Sequence, residues 1–192
     1  MEILHETAKD KCRKILELHE TFEDADHIFI VTAVMAGGDL LNYLIKQKSQ
    51  PLSEEHVRKI VRQVAIGIEG LHKKNIIHRD IKLHNILMSD SSENAKVRIA
   101  DFGSATKLES KDGTSNFRIG TPGFIAPEVV RGQSYGLGCD IWSLGALMHS
   151  ILFAECPFWD ENDSKRNIKL CNSESISFEG NELADRLSEP CK

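Results

Sequence analysis

The 192 residues carry a formal net charge of −5, with 41% hydrophobic and 28% charged side chains. That is enough apolar content for one packed domain and excludes wholesale disorder. The acidic balance leaves no footprint for nucleic acid or an anionic membrane, and no apolar run nears the roughly 18 residues of a membrane span. Five cysteines, Cys12, Cys139, Cys156, Cys171 and Cys191, are an odd number without a C-x-x-C pair. Reduced thiols are therefore expected, not a disulfide scaffold or a zinc cluster. The first residues are charged too early for a signal peptide, so the expected location is cytoplasmic, with the nucleus as the second option.

In chain order, residues 1–17 mix charge with Ile3, Leu4, Ile15 and Leu16 and predict a helix followed by a loop. Residues 27–34 are β-branched and aromatic and predict a buried strand. Gly37 and Gly38 end it, and Asp39 is placed to cap a short helix through Leu40, Leu41 and Leu44. After Pro51, Ser53 with Glu54 and Glu55 predicts a helix start. Behind it Val57, Ile60, Val61, Val64, Ile68 and Leu71 recur at helical spacing, while Arg58, Lys59 and Arg62 form a solvated face. Residues 76–77, 86–88 and 97–100 are short strand candidates, with a polar turn over 89–94 between the last two. Residues 103–124 lack periodicity, and a loop of that length inside a compact domain is usually functional. Residues 140–152 are apolar on nearly every face and predict a buried helix. From residue 160 onward the chain is polar and weakly patterned.

The chemistry concentrates in His78-Arg79-Asp80-Ile81-Lys82-Leu83-His84-Asn85. A lone loop aspartate is ordinarily a cap or turn residue. Here Asp80, Lys82 and Asn85 fall within six residues between two short strands, and Asp101-Phe102-Gly103 follows at the end of another. Two acids and an amide oxygen make a hard-oxygen set suited to Mg²⁺, and a neighbouring lysine suits phosphate oxygens.

These segments resemble eukaryotic serine/threonine protein kinases. The matches are the catalytic loop H-R-D-x-K-x-x-N at 78–85 and D-F-G at 101–103. The stretch 120–128 is similar to the A-P-E end of an activation segment, and 140–145 to the D-x-W-S-x-G start of the central helix. The resemblance implies an α+β, protein-kinase-like fold, mostly the helical large lobe with a partial small-lobe sheet. Residues 1–34 would be a remnant of the small lobe and hinge, and 35–192 a large lobe incomplete at its C-terminal end. It implies ATP and Mg²⁺ as cofactors and protein substrates with Ser/Thr acceptors. Asp80 would accept the substrate hydroxyl's proton, Lys82 would steady the γ-phosphate, and Asn85 and Asp101 would hold Mg²⁺. Thr32 and Val34 would lie at the hinge that binds adenine, Leu87 beneath the adenine, and Asp39 near the ribose and a basic substrate side chain.

The same resemblance makes His78 a packing residue with Phe102 and Leu18, and Asp140 a brace for the catalytic loop. Thr121 would contact Asp80 and Lys82. Arg79 implies control by phosphorylation in the loop, with Thr114 and Ser115 as candidates. His84 and Ser150 stand where arginine-directed kinases use acids. The segments 18–24 and 36–40 lean towards the calcium/calmodulin-dependent kinase group, including death-associated kinases.

The sequence also departs from the pattern. It holds no G-x-G-x-x-G and no V-A-I-K strand, and no late arginine region to pair with Glu128. Glu2 or Glu6 would be the helix glutamate that pairs with the missing lysine. The reading is thus a kinase domain truncated at both ends, with weak or absent turnover and poor solubility from an exposed sheet edge. A non-catalytic kinase-like binding or regulatory module is the alternative.

Overall fold

A computed structural model describes residues 2–9, 14–47, 52–158 and 187. Cys12, Pro51, Cys171, Cys191, the Glu2 side chain and the polar stretch from 160, apart from residue 187, lie outside the described residues. Helix α1 spans Glu2–Lys9. Strands β1 (Leu18–Glu23) and β2 (Ile28–Thr32) then form an antiparallel ribbon, with Leu18 opposite Thr32 and Glu23 opposite Ile28. The Asp24 carboxylate closes the turn by accepting the Asp26 and His27 amides at 2.9 and 2.8 Å.

The strand over 27–34 exists, but it is not buried. Ile28, Phe29 and Ile30 are 62%, 40% and 50% exposed. Its β-branched composition reports fit to a pleated surface, whereas burial needs a second layer. The ribbon has only two strands among the described residues. Phe22 and Phe29 instead stack on each other across it, ring centroids 4.7 Å apart.

The remaining described elements pack around two helices. Asp39 ends the two-residue strand β3 (Gly38–Asp39) and caps α2 (Leu40–Lys46), accepting the Asn42 amide at 2.8 Å. Ser53 caps α3 (Glu54–His72) through the His56 amide at 3.3 Å. On α3, Val57, Ile60, Val64, Ile68 and Leu71 are buried as their spacing requires, while Arg58 and Arg62 face solvent. Strand β4 (Ile76–Ile77) follows, then a 3₁₀ turn over Leu83–Asn85 and the hairpin β5 (Ile86–Met88) and β6 (Val97–Ile99). β5 lies between β3 and β6.

A two-residue strand, β7 (Thr106–Lys107), pairs antiparallel with β4, inside the segment read as a loop. Two residues are too few for a period to show. Helix α4 covers Pro127–Val130, and α5 covers Gly138–Phe153, sunk into the core except at points such as Ile141, 55% exposed. α3, α5 and the β5–β6 hairpin share one apolar cluster that includes Leu71, Ile86, Ile99, Leu147 and Ile151. Gly67 lets α3 close on β6: a Cβ there would stand 2.7 Å from Ile99 Cδ1 and 3.2 Å from Lys14 O.

Candidate active site

β4 leads into the loop 78–82, whose backbone is held from beneath by Asp140 of α5. This carboxylate is 0% exposed. It accepts the His78 and Arg79 amides at 2.9 Å each, and His72 Nε2 lies 2.9 Å away. Three donors replace its lost water, so burial is tolerable and the loop's direction is set. Arg79 needs that support, because its φ of +68° lies in the left-handed region, at a cost of order 1–3 kcal/mol. Its guanidinium adds further ties, to Ser104 O, Ser115 Oγ (3.4 Å) and Tyr135 Oη (3.5 Å).

The His78 ring is fully buried. Nε2 donates to Ala100 O at 3.1 Å, which leaves Nδ1 to accept the Asp80 amide at 3.3 Å. Burial holds its pKa below the ordinary imidazole value despite the opposing pull of Asp140 and the Ala100 carbonyl. A neutral ring is thereby locked between the ends of β4 and β6, with Phe102 edge-on at 5.0 Å. Leu18, named with this pair from sequence, is half-buried at the start of β1.

Asp80, Lys82, Asn85 and Thr121 meet in one network. Thr121 Oγ1 donates to Asp80 Oδ1 at 2.5 Å, and Lys82 Nζ donates to Thr121 Oγ1 at 2.9 Å. Lys82 Nζ also stands 2.9 Å from Asp80 Oδ2. Asn85 Nδ2 donates to the Asp80 carbonyl at 2.8 Å and to Oδ2 at 3.0 Å. Burial alone would raise the Asp80 pKa. The hydrogen bonds from Thr121, Lys82 and Asn85, with the Lys82 charge, outweigh it and hold the carboxyl below its usual value. Asp80 is therefore ionised at neutral pH.

With its NH₂ turned to Asp80, Asn85 presents its amide oxygen on the other side. The hairpin register puts Asp101 near it: Ile86 pairs with Ile99, and the Ala100 amide donates to Asn85 O at 2.8 Å. Asp101 is exposed, has a φ of +60°, and accepts the Gly103 amide at 3.1 Å. One amide oxygen and one solvent-facing carboxylate suit Mg²⁺, which keeps water or phosphate as its remaining ligands. Among the described residues no three His, Cys, Asp or Glu side chains converge on a point, so an all-protein metal cage is absent from them.

The residues read as nucleotide contacts are more dispersed. Thr32 ends β2, and the next amide, of Ala33, donates to Glu17 O at 2.9 Å. Val34 is 89% exposed. Leu87 is half-buried in β5 opposite Asp39, whose second carboxylate oxygen also takes the Asn42 amide side chain at 2.7 Å. Glu6 pairs with Lys107 of β7, in the segment read as a loop, at 2.8 Å. Glu128 is half-buried at the start of α4. Thr114 is exposed, whereas Ser115 is half-buried and bridged to Tyr135 by two backbone bonds of 2.8 Å.

Two contributors escaped sequence reading. His72 is the third donor to Asp140, and Tyr135 donates to Phe117 O while lying beside Arg79 and Ser115. Neither sits in a motif; only packing brings them in.

Comparison with known proteins agrees with this geometry. The protein kinase domain family matches residues 1–191. Among curated relatives, the serine/threonine-protein kinase PLK4 of Drosophila virilis is 35% identical over 178 residues, covering 90% of this chain and 22% of the relative. The calcium/calmodulin-dependent protein kinase type 1 of Macrobrachium nipponense is 33% identical, covering 93% and 50%. Human serine/threonine-protein kinase MRCK beta is 35% identical over 193 residues, covering 92% and 11%. The chain thus spans between about a tenth and a half of these relatives' lengths, and they include the calmodulin-dependent type among others. On the family match over nearly its whole length, with the Asp80 network in place, the chain belongs to the protein kinase domain family.

Proposed function

We propose that this domain transfers the γ-phosphate of ATP to a serine or threonine hydroxyl of a protein. The carrying observation is the ionised Asp80 carboxylate held by Thr121, Lys82 and Asn85. A substrate hydroxyl docked against Asp80 would donate its hydrogen bond there. Its oxygen attacks phosphorus, the bond from the γ-phosphorus to the bridging oxygen breaks, the electron pair leaves with ADP, and the proton passes to Asp80. Lys82, already among these groups, would steady the transferring phosphoryl oxygens. Asn85 and Asp101 would hold Mg²⁺, which neutralises phosphate charge when bound. The chain's own residues supply positioning and charge, which is most of what this chemistry asks of a protein.

A second reading, a kinase-like docking module, is favoured by the exposed two-stranded ribbon. Turnover by these 192 residues alone is expected to be weak, because they carry no G-x-G-x-x-G to cover the phosphates. Calorimetry of Mg·ATP binding, beside Asp101→Ala, decides between the readings. Binding that the variant loses supports phosphotransfer. No binding by the folded parent chain would leave the docking module.

A further inference from the structure

We propose that a cavity beside Lys82 seats a large apolar side chain of the acceptor segment. The chain would then favour Ser/Thr sites flanked by Leu, Met or Phe over sites flanked by Arg. This rests on the phosphotransfer reading above.

The cavity measures about 350 Å³. That lies near the lower end of ligand pockets, roughly 300–1,000 Å³, and leaves room for one large side chain. Leu41, Leu44 and Ile45 of α2 form one wall, Pro122 and Phe124 another, and the residues just past α5 complete it. Ile45 is 56% exposed at this wall, an apolar side chain facing an open space.

The polar groups in the wall are largely spoken for. The Lys82 ammonium is drawn towards Asp80 and Thr121. Ser150, 3% exposed, donates its hydroxyl to Ala146 O at 2.8 Å. The Cys156 thiol donates to Gly123 O at 3.3 Å, and burial pushes its pKa up, so it adds no charge. His84 and Glu155 are exposed, and among the described lining residues Glu155 is the single carboxylate. A guanidinium entering the cavity would lose water without gaining a buried carboxylate from these residues, whereas an apolar side chain gains by leaving water.

The occupant follows from continuity with the acceptor site. Lys82 and Thr121 both line the cavity and both hold Asp80. A segment whose hydroxyl reaches Asp80 must cross this shared wall. An extended chain advances about 3.3 Å per residue, so a side chain within a few residues of the acceptor reaches the cavity.

The test uses the full 192-residue chain and serine peptides carrying Leu, Phe, Ala, Arg or Asp at each flanking position. Fluorescence anisotropy reads binding without turnover, and phosphate transfer from Mg·ATP is read separately. Expected is a preference of about tenfold for Leu or Phe over Ala and Arg at one position. It should fall below about threefold in Ile45→Asp and persist in Ile141→Asp, the same change at an exposed site outside the cavity. Binding or transfer indifferent to side-chain class, a preference for Arg, or an apolar preference that Ile45→Asp leaves intact overturns the proposal. Apolar-selective peptide binding by a chain that also binds Mg·ATP yet transfers no phosphate sinks the phosphotransfer reading while the cavity assignment stands.

Discussion

Asp80 and Asp101 stand 21 positions apart and hold their charge in different ways. Asp80 is half-buried and kept ionised by three side chains, while Asp101 is exposed and bent back on Gly103. The first arrangement suits a base whose hydrogen-bond geometry must not drift, and the second suits a ligand that meets an ion arriving from solvent. Asp80→Asn keeps the shape and removes the charge. Transfer should fall by about 10²–10⁴-fold while Mg·ATP binding is retained, measured by initial rates and calorimetry. An unchanged rate would remove Asp80 from the chemistry. The types of these residues were readable in order along the chain. Their strained backbone was not, because a left-handed φ at Arg79 or Asp101 follows from contacts with Asp140 and Gly103 that no local pattern encodes.

The α3–β6 contact and the β1–β2 ribbon are opposite cases of element packing. α3 carries two interior glycines with different surroundings. At Gly70 a Cβ would meet nothing within 4 Å, so Gly70→Ala should stabilise by about 0.5–1 kcal/mol through helix propensity. At Gly67 the same change meets the fully buried Ile99, so it should destabilise by about 1–3 kcal/mol despite that gain. Urea denaturation of the two variants checks both signs. The ribbon exposes Phe22, Ile28, Phe29 and Ile30 together, a patch and a strand edge open to pairing with another chain. Concentration-dependent association is expected by sedimentation. Ile30→Lys should reduce it, with unfolding free energy changed by no more than about 0.5 kcal/mol. Helix starts at Ser53 and Asp39 were legible because a cap is a local hydrogen bond. The exposure of β2 was not, since burial depends on what lies over a strand.

At the scale of the molecule, acid should act first through buried histidines. Burial lowers the pKa of both His56 and His78 from the ordinary 6.5. The unfolded chain then binds more protons than the folded one as pH falls below about 6.5. Stability is therefore complete above that value and declines beneath it until the folded-state pKa values are passed. Asp80, lowered from 3.8, contributes stability that is lost only further down, as pH falls from about 3.8 through its folded value. Melting temperature should thus fall between pH 7.5 and 5.5. His56→Phe should lessen the fall, because His56 Nε2 is buried without a partner and needs no replacement donor. Equal slopes in parent and variant would refute the role of His56. His78 has a further consequence: protonating Nδ1 removes the acceptor of the Asp80 amide, so the loop that aims Asp80 should loosen only when pH falls through the lowered pKa of the folded, buried ring.

The sequence by itself singled out Asp80, Lys82, Asn85 and Asp101 as candidates, and it determined the order of the principal elements, the caps of α2 and α3, and the buried character of α5. Each is written in neighbouring positions, as spacing, side-chain type or a short-range bond. Tertiary structure decided the rest. It placed His72 and two loop amides on Asp140 and set Tyr135 beside Arg79. It tied Glu6 to Lys107 and opened an apolar cavity between α2 and the segment after Thr121. Those contacts join residues as much as 101 positions apart. They exist only once the shared core of α3, α5 and the β5–β6 hairpin has brought distant segments together, which no periodicity along the chain records.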